Sequence, residues 1–317
     1  MQPLIVLDKS YVRAASTAEI EAACDNFCAL MTEDLFFELI SGDLETRTKC
    51  FQKFPCRDNP VELIPNVGTL LRFEKEARKP SSLWKRRLRS TFRFNAGLAD
   101  GQFILNEKQE QAIARWRDDL AQDVDHLIAL GSSADRLFPA LRGLRPGQRP
   151  EVIESLIGEI AVNMEGARQL YAHLKPPEFP PSAIVGRTWA VFRRLQVYAI
   201  GAVEYFAKYG DGINKTNRDV LENERTDLNY LVVALLAGGL ATGDKTIARR
   251  FRLLRTHLEA RPDPRGACYQ CKRALHLSNE RLRSLNTSFK VPLKSIVDLP
   301  ESLWGEVKPG VAHSTSP

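Results

Sequence analysis

Short apolar runs alternate with helical patterns in the first part of the chain. Leu4–Leu7, Cys28–Met31 and Val61–Ile64 are almost wholly apolar, and runs this short are typical of strands buried on both faces of a parallel sheet. Between these runs, apolar residues at helical spacing predict one helix that opens at Thr17 and a second that is capped by Thr32. The order β-α-β-α-β predicts a doubly wound, Rossmann-like parallel sheet flanked by helices.

Long helical periodicities replace the strand patterns in the middle of the chain. They include Glu107–Leu130 and Pro150–Leu174. A mostly helical segment between two α/β stretches, roughly as long as a small domain, is best explained as an insertion. We therefore predict a mostly helical insertion at residues 76–200, which divides one α/β domain into residues 1–75 and 201–317 with a C-terminal extension.

The α/β pattern returns late in the chain. Asn223–Ala237 has helical spacing and is followed by two glycines, as expected where a helix ends. Leu240–Thr242 then predicts a short central strand, and Thr246–Leu258 predicts a basic amphipathic helix.

Two of the predicted strands are followed by a carboxylate, Asp8 and Asp244. Open parallel sheets form their sites at the carboxyl ends of strands, so these residues are expected to meet in space. Asp227 lies near the start of the helix that leads to the Asp244 strand, and Glu38 lies in the helix after the second strand, one turn after Asp34. Because clustered carboxylates repel each other and hard cations prefer oxygen ligands, this pattern predicts a Mg²⁺ or Mn²⁺ site.

A structural explanation competes with the metal site. An Asp at the end of a strand is most often a helix cap or a solvated turn residue. The helix side that carries Asp34 and Glu38 can equally be a solvated face. For Glu38 we weigh the two interpretations about equally.

Four segments together resemble the PIN-domain nucleases: Leu4–Ser10, Glu33–Leu39, Asp227–Ala234 and Leu240–Asp244. In that family an Asp ends the first strand, a Glu lies on an early helix, another Asp heads a D-x-x-x-x-x-x-A helix, and a T-x-D turn follows the next strand. The resemblance covers about 1–75 and 215–260 and depends on the order of the segments. It implies a PIN-like fold in which Asp8, Glu38, Asp227 and Asp244 bind Mg²⁺ or Mn²⁺ and catalyse phosphodiester hydrolysis, with RNA as the favoured substrate.

The chain departs from the family pattern in two ways. Lys9 stands where the family usually has a small hydroxyl residue, and the helical insertion is much larger than in the compact toxin-type members. Lys9 favours an alternative, a catalytically inactive PIN-like scaffold that binds nucleic acid or protein. A DNA-cleaving defence effector is a third hypothesis. Asp219 and Glu224 are alternatives to Asp227. The insertion is expected to recognise substrate, form a homo-oligomer or bind a protein inhibitor, as in toxin-type relatives.

Charge and hydropathy limit the kinds of partner and the cellular location that we expect for the protein. The formal net charge is +6, with 45 Lys and Arg against 39 Asp and Glu, and this balance favours an anionic partner, nucleic acid before a membrane surface. No apolar run reaches the length of about 18 residues that a membrane helix needs. The N-terminus lacks the basic residue that precedes the apolar run of a secretory signal, so we expect a cytoplasmic protein. The six cysteines are then expected to be reduced thiols or metal ligands.

The densest basic run, Trp84–Phe94, interleaves aromatic and basic residues, a combination that can bind phosphates and stack on bases. Its candidate nucleic-acid-binding residues are Lys85, Arg86, Arg87, Arg89 and Arg93. An amphipathic segment packed on the core explains the run equally well. A second candidate patch combines Arg187, Arg193 and Arg194 with Trp189 and Phe192. Basic side chains from 84–93 or Arg249–Arg255 are expected to line the approach to the acidic site. Cys268 and Cys271 have zinc-knuckle spacing, but buried or free thiols are the favoured interpretation.

Overall fold

The computed structural model describes residues 2–57, 60–83, 96–101, 104–144 and 149–255. Its strands form one sheet in which every pair is parallel, with the order β3-β2-β1-β4. The strands are β1 Leu4–Leu7, β2 Cys28–Thr32, β3 Glu62–Ile64 and β4 Leu240–Ala241. In the register of β1, Val6 pairs with Leu30 of β2 on one side and with Leu240 of β4 on the other. The prediction that the Leu240–Thr242 strand is central is wrong, because β4 pairs with β1 alone and lies at the edge of the described sheet. The prediction of a parallel sheet flanked by helices is confirmed.

The helices of the first part of the chain follow the strands closely. They are α1 Lys9–Ala14, α2 Thr17–Asn26, α3 Glu33–Ile40, α4 Leu44–Phe51 and α5 Val67–Ala77. Thr32 caps α3 as predicted, since its hydroxyl accepts the Leu35 N–H at 3.1 Å. The cap of α2 is Ser16, not Thr17, because Ser16 and Glu19 form a reciprocal capping box.

Helices dominate the described middle of the chain, as predicted. They are α6 Glu107–Ser132, α7 Ala134–Leu137, α8 Arg149–Val162, α9 Met164–Leu174 and α10 Ala190–Tyr209, with short 3₁₀ segments at Ala96–Ala99, Pro139–Leu141 and Gly210–Lys215. The single pattern Pro150–Leu174 is divided into two helices. The break falls at Asn163, whose side-chain oxygen accepts the Gly166 N–H at 2.8 Å and so caps α9.

The end of the described chain returns to the sheet. Helix α11 spans Arg218–Ala237 and therefore begins before the predicted Asn223. Gly238 ends it in the left-handed conformation, with φ of 82°, which glycine adopts without strain. The chain then enters β4, and α12 follows at Lys245–Arg255.

The core has two parts, one on each face of the sheet. Alternate residues of β1 divide between them, so that Val6 belongs to one cluster and Ile5 to the other. The Val6 cluster also contains side chains of the middle helices, for example Leu127, Ile157 and Val191. The described middle helices therefore pack into the same core as the sheet, and residue 200 falls inside α10. The division into an insertion and a two-part domain stays a prediction.

Candidate functional site

Asp8 and Asp244 follow the neighbouring parallel strands β1 and β4 at the same edge of the sheet. Each residue caps the next helix with its Oδ1 atom. Asp8 accepts the Tyr11 N–H at 2.9 Å and Asp244 accepts the Ile247 N–H at 2.9 Å. Both residues are therefore helix caps, and capping uses one oxygen of each carboxylate.

The second oxygen of Asp8 is different. Asp8 is only 1% exposed, and its Oδ2 atom is buried without a hydrogen-bond partner. Burial raises the pKa of Asp8, although hydrogen bonds from Ser10, Thr242 and Tyr11 oppose this effect. A buried carboxylate oxygen with no donor is costly in a finished fold. Such an atom is a natural ligand for a cation.

The hydroxyl of Ser10 joins the two strand ends. It donates to Asp8 Oδ1 at 2.6 Å and accepts the backbone N–H groups of Gly243 at 2.8 Å and Asp244 at 3.1 Å. It also lies 3.2 Å from the hydroxyl of Thr242. These contacts fix the Asp8 and Asp244 backbones relative to each other.

Glu38 is held by two groups at the side of this edge. Lys9 donates to its Oε1 atom at 3.0 Å, and the hydroxyl of Tyr230 donates to its Oε2 atom. Burial raises the pKa of Glu38, while the charge of Lys9 is the largest opposing influence. Glu38 is therefore not on a solvated helix face, and Lys9 pairs with it directly.

Asp227 lies in the electrostatic field of the other three carboxylates. Its pKa is raised to about 8, first by burial and then by the charges of Asp8, Glu38 and Asp244, while Arg250 opposes the rise. Through-space repulsion of this kind requires the charges to be close. The structure thus brings together Asp8, Glu38, Asp227 and Asp244, hereafter the carboxylate cluster.

The alternatives to Asp227 do not join the cluster. Asp219 is exposed at the start of α11. Glu224 pairs with Lys208 at 2.8 Å. Asp34, one turn before Glu38, is buried and accepts hydrogen bonds from Trp116, Asn229 and Arg225. Asp34 therefore serves to join α3 to α6 and α11.

Sequence reasoning missed Tyr230 and Ser10 as partners of the carboxylates. Tyr230 follows Asp227 by three residues, so the helical period already places both on one face of α11. Ser10 carries no such signal, because its contacts with Gly243 and Asp244 depend on the pairing of β1 with β4.

The cluster fits a cation in its chemistry but is not arranged as a finished metal site. Among the described residues, no group of three or more Asp, Glu, His or Cys side chains is placed to hold a metal ion. Both carboxylate oxygens of Glu38 are already engaged, one by Lys9 and the other by Tyr230. The Oδ2 atom of Asp8 has no hydrogen-bond partner and is therefore available to an ion.

The predicted basic surfaces have different outcomes. Lys85, Arg86, Arg87, Arg89 and Arg93 lie outside the described residues, as do Cys268 and Cys271. Of the second candidate patch, Trp189 and Phe192 are 5% and 0% exposed, so these two aromatic residues do not form part of a surface patch. The apolar face of α10 buries them in the core. None of the described cysteines, Cys24, Cys28, Cys50 and Cys56, forms a disulfide bond.

Basic residues of α12 do lie near the cluster, but they are paired. Arg250 is near enough to lower the pKa of Asp227, and its guanidinium forms an ion pair with Glu204. Arg249 pairs with Glu204 at 2.8 Å and Glu154 at 2.6 Å. Their charges are thus largely neutralised by the protein itself.

Comparisons with protein-family models, curated proteins and solved structures find no match to this chain. The resemblance to PIN-domain nucleases therefore depends on the four sequence segments alone. Within the described residues, no helix is both long enough and apolar enough to cross a membrane.

Proposed function

We propose that this protein is a PIN-like, Mg²⁺- or Mn²⁺-dependent nuclease that hydrolyses phosphodiester bonds, with RNA as its favoured substrate. The observation that carries the proposal is that Asp8 and Asp244 follow neighbouring parallel strands, with the Oδ2 atom of Asp8 buried without a hydrogen-bond partner. Burial, and then the charges of Asp8, Glu38 and Asp244, raises the pKa of Asp227 to about 8. A cluster of this kind at the carboxyl ends of parallel strands favours binding of a divalent cation, because the cation removes the repulsion.

Each residue of the carboxylate cluster would have a role that depends on its position. Asp8 would offer its free Oδ2 atom to the ion, and Asp227 would give up the proton that its raised pKa retains. Asp244 is partly exposed and lies at the same edge, where it can complete the ligand set. When bound, the ion would activate water for attack on phosphorus and stabilise the leaving oxygen. Glu38, held by Lys9, acts from the side of the cluster.

The choice of RNA comes from the family resemblance, while the positive net charge of +6 supports a nucleic acid in general. Single-stranded DNA is the alternative substrate, in keeping with a DNA-cleaving defence effector. Cleavage of labelled single-stranded RNA and DNA of the same sequence, run in parallel, separates these two.

The decisive experiment uses the full chain and labelled single-stranded RNA with Mn²⁺ or with EDTA. We expect cleavage with Mn²⁺ only, and we expect Asp227→Asn to abolish it. Asp219→Asn is the matched control, because Asp219 is an exposed carboxylate on the same helix outside the cluster. Full Mn²⁺-dependent activity in Asp227→Asn would reject the proposed site.

A second candidate function, a non-catalytic PIN-like scaffold, is favoured by one observation. Lys9 already supplies a positive charge to Glu38, and the described carboxylates are not arranged to share an ion. A scaffold predicts that the wild-type protein binds RNA without cleaving it in Mn²⁺, and that Asp227→Asn leaves this binding unchanged.

A further inference from the structure

A small apolar cavity, hereafter the leucine cavity, lies among the middle helices α6, α7, α9 and α10. Its leucine walls come from all four helices, in the order Leu130, Leu137, Leu170 with Leu174, and Leu195. The centres of water-sized groups can occupy about 40 Å³ inside it, and one such group needs roughly 10–15 Å³. The cavity therefore has room for about three groups the size of a methyl, and it is partly open to solvent.

Arg194 places a positive charge on the wall of the leucine cavity. Among the described lining residues it alone is charged, and it is 9% exposed. Its guanidinium carbon lies 4.9 Å from the centre of the Tyr198 ring, one turn further along α10. A cation over an aromatic face is attracted to the ring, so Tyr198 holds the guanidinium at the cavity without using its N–H donors.

Two other buried arginines have carboxylate partners, whereas Arg194 does not. Arg225 pairs with Asp34, and Arg250 pairs with Glu204. Within the described ranges of the chain, no hydrogen bond or ion pair engages Arg194 beyond its contact with the aromatic ring. A charge without a partner at a largely buried position is unfavourable, so Arg194 is suited to binding an anion.

The charge of Arg194 reaches one carboxylate of the protein, Asp123, but that carboxylate has closer partners. Asp123 forms an ion pair with Arg225 and lies 3.8 Å from the Nδ1 atom of His126. Burial acts to raise the pKa of Asp123, but Arg225, His126 and Arg194 together keep it below its ordinary value. Asp123 thus balances Arg225 at close range and acts on Arg194 only from beyond ion-pair distance.

The guanidinium of Arg194 is accessible, unlike that of its neighbour Arg193. The Arg193 NH2 atom is buried without a partner, whereas none of the Arg194 nitrogen atoms is. Since the described residues give the Arg194 nitrogen atoms no hydrogen bond, these atoms keep accessible surface, and Arg194 lines the leucine cavity. A small ligand in the cavity can therefore reach the charge.

We infer that the leucine cavity binds a small carboxylate with a short, branched aliphatic chain. The carboxylate pairs with Arg194, because the guanidinium fork presents N–H donors that match the two carboxylate oxygens. The aliphatic chain lies among the leucines, where burial removes it from water. A phosphate fits less well, since it carries about 1.5 to 2 negative charges at pH 7 and the described walls offer it a single cation.

Isovalerate has this chemistry and serves as the probe. Its isopropyl end is about the size of the three groups that the cavity admits. Isovaleramide has the same shape without the charge, and acetate has the charge without the branched chain. The two controls therefore test the contact with Arg194 and the contact with the leucines separately. The inference is independent of the proposed nuclease activity, since it uses no residue of the carboxylate cluster.

Ligand-observed NMR on the full chain tests the inference, by following the transfer of saturation from the protein to the methyl protons of each ligand. We expect saturable binding of isovalerate with a dissociation constant of about 1 mM or below. Isovaleramide and acetate should each bind about tenfold more weakly or worse. Arg194→Met keeps the apolar stem of the side chain and should weaken isovalerate binding about tenfold or more, because it removes the charge-assisted hydrogen bonds.

Three further variants locate the site. Ala199 lines the cavity, and Ala199→Leu adds about as many carbon groups as the cavity holds, so it should abolish binding although Arg194 remains. Arg115→Met is the matched control for a lost charge, since Arg115 is exposed on α6, and it should keep the wild-type affinity. Asp227→Asn should also bind isovalerate normally, which separates this site from the carboxylate cluster.

Thermal unfolding establishes that each variant is folded. If Arg194→Met or Ala199→Leu is not, the comparison of isovalerate with isovaleramide and acetate on the wild-type protein still decides the question. Absence of saturable isovalerate binding, or equal binding of isovalerate and isovaleramide, would overturn the inference. Undiminished binding by a folded Arg194→Met or Ala199→Leu variant would overturn it as well.

Discussion

The ammonium group of Lys9 lies 3.0 Å from the Oε1 atom of Glu38, and the two residues come from the helices that follow β1 and β2. The Glu38 side chain is 8% exposed, so solvent screens this pair weakly. Lys9 thus supplies, inside the protein, part of the positive charge that the carboxylate cluster requires. Glu38 is consequently less available to a divalent ion than Asp8 and Asp227 are.

We predict that Lys9→Met tightens Mn²⁺ binding. Without the ammonium, Glu38 adds its full negative charge to the field at Asp8 and Asp227. The expected gain is about threefold or more in affinity, which corresponds to the roughly 0.7 kcal/mol of a weakly screened pair. Titration of the protein with Mn²⁺, followed by electron paramagnetic resonance, measures it. Lys49→Met, at an exposed position on α4, is the control. Weaker binding in Lys9→Met would show that Lys9 supports the site.

The raised pKa of Asp227 predicts how the metal-free protein responds to pH. An Asp with an ordinary pKa of 3.8 in the unfolded chain and about 8 in the folded protein holds more protons in the folded state between these values. Stability therefore falls as pH rises from about 4 to about 8, by up to about 1.4 kcal/mol per pH unit from this group alone. Asp227→Asn removes the dependence, so its melting temperature should exceed that of the wild type at pH 8 and match it near pH 4.

Thermal unfolding in EDTA across this pH range checks the prediction, with Asp219→Asn as the control for general charge effects. Saturating Mn²⁺ should reduce the pH dependence of the wild type, because the ion stabilises the ionised carboxylates. A wild type and an Asp227→Asn variant that lose stability in parallel would contradict the repulsion inferred at Asp227.

The strands were predictable because they are short, apolar and followed by polar residues, and their observed ends lie within one residue of the prediction. Helix boundaries were less accurate where a polar side chain decides them. Ser16 rather than Thr17 caps α2, and Asn163 divides the pattern that predicted one helix. Such capping depends on local hydrogen bonds that periodicity does not contain.

The proximity of Asp8 and Asp244 was predictable from strand order, since residues that follow neighbouring parallel strands lie at the same edge of the sheet. The partners of Glu38 were not. Lys9 and Tyr230 reach Glu38 across long stretches of chain, and only the packing of α1 and α11 against α3 brings them there. The burial of Arg193 also escaped prediction, because an arginine beside aromatic residues ordinarily indicates a surface patch.

We predict that a side chain at Gly239 strongly destabilises the protein. A Cβ atom at this position would lie 2.4 Å from the backbone oxygen of Leu4, where β1 receives the chain that enters β4. Because backbone cannot rotate away as a side chain can, Gly239→Ala should destabilise the protein by about 1–3 kcal/mol. Gly158→Ala is the control within α8, since nothing lies within 4 Å of its Cβ position. That variant should gain about 0.5–1 kcal/mol from helix propensity. Urea unfolding measures both, and a stable Gly239→Ala variant would show that β4 can shift away from β1.

Two substitutions at Asp8 should separate its structural role from its proposed catalytic role. Asp8→Asn keeps an Oδ1 atom that accepts the Tyr11 N–H and the Ser10 hydroxyl, so α1 keeps its cap. It also removes a buried charge whose pKa is raised by burial, and the melting temperature in EDTA should be equal to or above that of the wild type. Asp8→Ala removes the cap and should cost about 1 kcal/mol. Both variants should lose Mn²⁺-dependent cleavage, because neither offers a negative oxygen at the Oδ2 position. Thermal unfolding beside the RNA cleavage assay makes the comparison, and an Asp8→Asn variant with full activity would leave Asp8 as a helix cap alone.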